Sequence, residues 1–367
     1  MIDGRDLGFL LALARFPKFG ARRISMLRKI FPSFETAFSA HRTEFLLAGI
    51  DERITDEFLS KRNQFNPEEE KEQLERHNVT VVVFGDPFYP QNLTHLYDPP
   101  ALLFLRGTLP PKDALCVALV GSRHPTEYGR RVVQTLAEYL AIHGTVIVSG
   151  MAYGIDALAH QAVSNVRGMT LAVLGSGLDA NSIYPAGHRA LAEKILETGG
   201  ALLSEFPIGT PGLSHHFPLR NRIIAGLCQG TVVIEAAITS GSLITAKAAL
   251  DIGRDVFAVP GSIYNPLSTG TNELIKTGAH VVTCPEDILS VLGATPKDIS
   301  STPVPPVDIQ WTDPLEEKIY TLLSSQPIHI DELARQIREP TSVITAAVSM
   351  LELKGLTTHV GGMFYVK

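Results

Sequence analysis

Apolar and polar positions follow three different rhythms along this chain of 367 residues. Over residues 1–62, Leu7, Phe9, Leu10, Leu11 and Leu13 form one apolar stretch. Pro17-Lys18-Phe19-Gly20 breaks it, and Ile24, Leu27, Ile30 and Phe31 then recur at helical spacing. The pattern predicts a small all-α domain of the SAM-like or helix-hairpin-helix-like kind. A charged helix over 68–76 and a strand over 79–84 follow. Pro87, Pro90, Pro99 and Pro100 then make an irregular lead-in to a strand at 102–105.

From residue 115 the rhythm changes. Short Val/Ile/Leu runs at 115–120, 145–149, 170–174, 201–204, 231–235, 255–259 and 280–282 read as strands. Helical patterns at about 127–142, 154–164, 187–198, 221–227, 242–252 and 271–277 separate them. Continuous apolar strands are buried on both faces, so their alternation with helices predicts an α/β fold with a doubly wound, mainly parallel, Rossmann-like sheet. Residues 295–308 hold Pro296, Pro303, Pro305 and Pro306 and few apolar positions, the signature of a linker. Helices at about 314–324, 330–337 and 341–354, a turn at Lys354-Gly355 and a hairpin through Gly361-Gly362 then predict a winged helix. The expected domains are 1–62, 63–292 and 313–367, with a Pro-rich linker at 293–312.

Composition narrows the function. Hydrophobic content of 45% and charged content of 19% describe an ordinary soluble protein, and no apolar run is long enough to span a membrane. The three cysteines, Cys116, Cys228 and Cys284, are far apart and odd in number, which suggests neither a disulfide framework nor a zinc cluster. A reducing, cytoplasmic setting is the expectation. The net charge of −6 argues against gross binding of nucleic acid by a basic surface. Residues 1–62 carry 11 Lys+Arg against 8 Asp+Glu, whereas 113–290 carry 11 against 14, so a polyanion must meet a local basic site.

The candidate chemistry lies in the loops that leave the predicted strands. Ligands of a parallel sheet sit outside the carboxyl ends of its strands. Here those ends carry Gly121-Ser122-Arg123, Ser149-Gly150 through Gly154-Ile155-Asp156, Gly175-Ser176-Gly177, Ser240-Gly241-Ser242 with Thr245, and Gly261-Ser262. Glycines permit close approach of the backbone, and hydroxyls with helix N-terminal amides bind phosphate oxygens. The segment from Phe217 to Gly226 adds Arg220, Asn221 and Arg222, placed by Pro218 near a predicted helix start, while Phe217 offers a face for a base. Lys247 is a further candidate contact. Neither G-x-G-x-x-G nor G-x-x-x-x-G-K-[ST] follows the first strand of the sheet, His215-His216 lacks metal-ligand spacing, and Asp156 and Asp179 fit helix capping or loop bracing better than catalysis. No catalytic group, metal or cofactor is expected.

Gly121-Ser122-Arg123, the run Ser149 to Asp156 with Ala159-His160, the run Ala172 to Asp179, Tyr184-Pro185, Leu203-Ser204-Glu205, Phe217 to Gly226, Ser240 to Ala246, Gly253 to Pro260-Gly261, and Gly270 to Ile275 with Gly278-Ala279 resemble, in order, the motifs of the DNA-processing protein A family (DprA, or Smf). The resemblance covers about residues 115–285. It implies a non-catalytic homodimer that binds single-stranded DNA and loads the RecA recombinase onto it, as in natural transformation. It implies that Arg123, Arg220 and Arg222 meet phosphates, with Gly/Ser groups completing each phosphate shell and Phe217 stacking on a base. This chain departs from the family at Ser214-His215-His216, where a basic residue is common before the Phe-Pro pair; protonated histidines there would strengthen binding below about pH 6.5. It departs again in helix 341–354, which is nearly free of basic residues and better suited to protein contact than to DNA. The alternative is a nucleotide-cleaving phosphoribohydrolase of the lysine-decarboxylase-like group, which needs a catalytic Glu that no residue after Thr245 in that helix supplies.

Overall fold

The structure is a computed structural model that describes residues 3–294, 311, 313–323, 328–354, 356–359 and 364–366. Two compact units divide between Asp298 and Ile299.

The first unit is built on a nine-stranded sheet. Its strands are β1 (Thr80–Val83), β2 (Leu102–Gly107), β3 (Cys116–Val120), β4 (Val146–Ser149), β5 (Thr170–Leu174), β6 (Ala201–Ser204), β7 (Gly230–Val233), β8 (Asp255–Ala258) and β9 (His280–Val281). They lie in the order β1-β2-β6-β5-β4-β3-β7-β8-β9. Pairing is parallel from β6 to β9, and antiparallel where β2 meets β6 and β1 meets β2. The central strands β3 to β6 are buried at every position, which is why the sequence reads as continuous apolar runs rather than alternation. Successive strands run one way from β3 to β6 and the other way from β7 to β9. The order therefore reverses between β3 and β7, the switch point where such sheets open a crevice.

Helices cover both faces. Glu127–Ile142 and Ile155–Asn165 pack on one face through Val133, Leu136, Leu140, Ile155 and Val163, against Val117, Leu119, Ile147 and Val232. His216–Leu227 and Ser242–Asp251 pack on the other through Ile223, Ile224, Ala246 and Ala249. The helix expected at 221–227 thus begins five residues earlier, at His216. Pro218 falls in its first turn, where the missing N–H costs nothing because those amides have no partner inside the helix.

The boundary expected at residue 62 is not a break in packing. Leu10, Leu13, Phe16, Phe45 and Phe58 of the N-terminal helices share one buried cluster with Val83, Phe104, Leu174, Leu178 and Leu202 of the sheet layer. Arg28 Nη1 donates to the Phe84 carbonyl at 2.6 Å, and Arg23 Nη1 to that of Lys18 at 2.8 Å. Two of the four basic residues of this segment's second helix therefore serve its own architecture.

The second unit comprises helices Pro314–Leu322, Ile330–Ile337 and Thr341–Leu353 with short strands at 328–329, 358–359 and 364–366, the last lying between the other two. Ile319, Leu333, Ile344, Val348 and Leu351 form its core. Of the expected linker 293–312, residues 295–310 and 312 lie outside the described residues, as does the Gly361-Gly362 turn.

Candidate nucleic-acid interface

At the β3/β7 switch point an open hollow of about 490 Å³ is lined by Gly121, Arg123, Phe217, Arg220, Asn221, Ser240, Gly241, Ser242 and Thr245, all expected from the sequence. Ala152, Asp156, Tyr184, Gly212 and Ser214 line it too, with Val120, Pro218, Ile224 and Ile244 as its apolar part. The Arg123 guanidinium, exposed to solvent, stands 5.9 Å from the centre of the Phe217 ring. Phe217 is held from below by Gly175, where a Cβ would lie 2.9 Å from the ring, and from the side by Tyr184, whose ring centre is 5.4 Å away. Tyr184 belongs to one of the sequence motifs but is not among the residues expected in the site. It reaches the hollow from a loop more than 30 positions before Phe217, and the Tyr184-Pro185 bond is cis.

The opposite wall is polar. Asn221 Nδ2 donates to the Gly241 carbonyl at 3.3 Å, and the Ser240 and Ser242 hydroxyls lie 2.8 Å apart. Helix Ser242–Asp251 starts here; the amides of Ser242, Leu243 and Ile244 are bonded to Ser240 Oγ and to the carbonyls of Ser240 and Gly241, so its N-terminus offers the hollow the positive end of the helix dipole and the Ser240 and Ser242 hydroxyls. A cation and an aromatic face on one side and a helix N-terminus on the other suit an anionic ligand with flat bases.

Several expected residues do other work. Arg220 is only 3% exposed. Its Nη1 donates to the carbonyls of Gly150, at 2.7 Å, and Val173, and its Nε to Asn221 Oδ1 at 3.2 Å. Burial pushes its pKa down to about 10, against the stabilising field of Asp156. The same burial pushes the Asp156 carboxyl up, opposed by Arg220 and by the amides of Ala152 and Gly150. Arg220 therefore pins the loop after β4 to the end of strand β5 instead of reaching outward. Arg222 turns away from the hollow and pairs with Glu205 at 2.5 Å, in a second hollow of about 600 Å³. That hollow is lined by the end of helix Gly4–Arg15 with its following turn and by the segment 205–222, His215 and His216 included. His216 is buried and stacked on Phe206 at 4.1 Å. Burial and the neighbouring His215 hold its pKa below the ordinary value, so the expected charging near pH 6.5 does not apply to it.

Three residues at the strand ends are braces. Ser149 is fully buried and donates to the Leu119 carbonyl at 2.6 Å. Ser122 Oγ accepts from the His124 amide at 3.1 Å. Gly154 has φ +77°, and a Cβ there would lie 2.3 Å from the Ser122 carbonyl oxygen. Lys247 is exposed on its helix but does not line the hollow. Asp179 accepts from the Gly209 amide at 2.7 Å and the Ser182 hydroxyl at 2.9 Å; burial works against its charge, yet these bonds hold its pKa below the usual value. Glu235, two residues after β7, accepts from the amide (2.8 Å) and the hydroxyl of Thr126 and so holds in place the residue that caps the helix following Arg123. Among the described residues no cluster of His, Cys, Asp or Glu is arranged to hold a metal.

The sequence profile of DNA recombination-mediator protein A matches residues 80–293, the whole of the layer that builds this hollow, and that of the DprA winged helix domain matches 302–363. Protein Smf of Synechocystis is 32% identical over 98% of this chain and 98% of its own length. The chain belongs to the DNA recombination-mediator protein A family. Within it, Protein Smf of Escherichia coli is 49% identical over 219 residues, which is 60% of this chain and 58% of that protein. Two solved structures of the family share the fold. DNA processing protein A from Streptococcus pneumoniae covers 79% of this chain and 98% of its own, at 33% identity and a TM-score of 0.64. DNA processing protein A from Helicobacter pylori, described for its single-stranded DNA binding mode, covers 58% and 95%, at 30% identity and a TM-score of 0.53.

Proposed function

We propose that this chain binds single-stranded DNA without regard to sequence, as a cytoplasmic homodimer, and that it delivers the strand to the RecA recombinase, acting by binding and handover with no chemistry of its own. The observation that carries the binding reading is the Arg123–Phe217–Tyr184 group at the switch point. It offers an exposed cation over an aromatic face, with a second ring alongside. Every base has a π-face, so such a platform holds bases without reading them, while the cation and the helix N-terminus opposite meet the backbone. The net charge of −6 favours a local site over a charged surface, which fits a protein that takes a few nucleotides at a time. The single-stranded DNA binding mode of the Helicobacter pylori relative supports the same reading, and membership of the family supports delivery to RecA.

The test is a titration of labelled oligo-dT and of duplex of equal length across salt. Tighter binding of the single strand, with a negative slope of log affinity against log salt, is expected. Salt-independent binding, or preference for duplex, would sink the reading. RecA delivery is tested separately, by whether the chain speeds RecA filament growth on strands coated with single-strand-binding protein.

A further inference from the structure

The carboxyl edge of the sheet continues past the hollow. After β8 the chain turns through 259–268 in a closely braced loop. Gly261 and Asn272 exchange two hydrogen bonds, of 3.3 and 3.0 Å. The Tyr264 amide donates to Ser262 Oγ at 3.3 Å, and the Asn265 amide to the Ser262 carbonyl at 3.0 Å. This firmly held loop nonetheless presents Ile263 and Tyr264 to solvent, 79% and 90% exposed. Beside it Tyr128, in the first turn of the helix that follows Arg123, donates its hydroxyl to the Pro260 carbonyl at 3.0 Å and is itself 45% exposed. Ile238, on the loop after β7, is exposed as well. Leaving such surface in water forgoes a favourable burial, and a rigid loop does not hide it by collapsing.

We propose that Tyr264, Ile263 and Tyr128 form a second stacking platform for a single strand of DNA that leaves the hollow toward β8. This rests on the single-strand reading given above. The occupant follows from continuity and charge. The aligned residues Val120, Val233 and Ala258 put the ends of β3, β7 and β8 side by side. The platform thus begins two inter-strand spacings, about 10 Å, from the Arg123 loop, a gap that a few nucleotides bridge. Arg131, one helical turn after Tyr128 on the same face, is exposed and in no ion pair among the described residues, and Arg130 beside it is the same. Flat apolar rings with free guanidinium groups nearby match bases joined by phosphates better than they match a purely apolar partner.

The experiment compares binding of oligo-dT of about 4 and about 16 nucleotides, the span of single-strand site sizes, to the full chain and to Y264A, Y264F and R123A. Tyr264 is nearly all exposed, so its variants are expected to fold, which a melting curve verifies. Y264A should weaken the long oligonucleotide at least about fivefold while leaving the short one unchanged, Y264F should bind as the wild type does, and R123A should weaken both. If R123A weakens both and Y264A neither, the platform is wrong and the hollow stands. If R123A affects neither, the single-strand reading fails and the platform falls with it. If Y264A shifts the sedimentation of the free protein but not its affinity for DNA per chain, the patch is a contact between copies and the proposal is overturned.

Discussion

The guanidinium of Arg220 lies directly against Gly150, whose carbonyl accepts from it at 2.7 Å and whose missing Cβ would otherwise lie 2.5 Å from its Nη2. The next residue, Met151, has φ 58°, a left-handed backbone that side chains other than glycine seldom adopt, and its carbonyl accepts from His188 Nδ1 at 2.8 Å. The arginine thus fixes a loop whose backbone would not hold this shape unaided. Gly150→Ala should cost about 1–3 kcal/mol through overpacking. Arg220→Ala should cost about 1–3 kcal/mol for each of the two buried carbonyls, of Gly150 and Val173, that it leaves without this donor. Thermal unfolding of both variants checks this.

Arg123 and Arg220 should separate in a salt titration. Arg123→Ala is expected to lower the slope of log affinity against log salt by about 1 and to leave the melting temperature unchanged. Whatever Arg220→Ala protein folds should keep the wild-type slope, because its guanidinium is bonded to backbone carbonyls. Equal slopes for wild type and Arg123→Ala would remove Arg123 from the interface.

Phe217 and Tyr184 should act together. Each alanine variant is expected to lose about 1–3 kcal/mol of single-strand affinity, the range for one base–aromatic stack. With ring centres 5.4 Å apart they share a surface, so the double variant should lose less than the sum. Strict additivity in the cycle would mean that the rings serve different nucleotides.

Acid should weaken the fold through His160. It is wholly buried, bonded to Thr170 Oγ1 at 2.7 Å, and burial lowers its pKa to about 3, aided by the charge of Arg220. An unfolded histidine titrates near about 6.5. Between those values the unfolded chain takes up a proton that the folded chain refuses. The contribution of this group is therefore complete above about pH 6.5 and drains by about 1.4 kcal/mol per pH unit below it. Asp156, whose pKa is raised, acts in the opposite sense, since the folded chain takes up its proton before the unfolded chain does. The difference between the melting profiles of wild type and His160→Asn isolates the histidine: it should change steadily below about pH 6.5, and parallel profiles would show that His160 takes no part.

The strands of the sheet were legible almost to the residue, because burial on both faces leaves mostly apolar side chains in each run. The start of helix His216–Leu227 was not, since Pro218 reads as a breaker although the first turn tolerates it. Local sequence also announces charge without announcing burial. Arg123, Arg220 and Arg222 look alike in the chain, yet of the three only the first stands free in the hollow. What distinguishes them is the carbonyl of Val173 and the carboxylate of Glu205, each supplied by a different strand end. Tyr184 escaped for the same reason, as its ring finds Phe217 only once the loop between them has closed.

The stretch 211–222 walls two hollows at once, sending Ser214, Phe217, Pro218 and Asn221 to one side and Leu213, His215, His216, Leu219 and Arg222 to the other. Anyone mapping the DNA footprint by scanning substitutions will therefore meet false positives on the far side of that wall. A change at Leu219, or at Phe19 across from it, can shift the ring of Phe217 without ever touching a nucleotide. Lost affinity is proof of contact here only when a cross-link to the strand agrees with it.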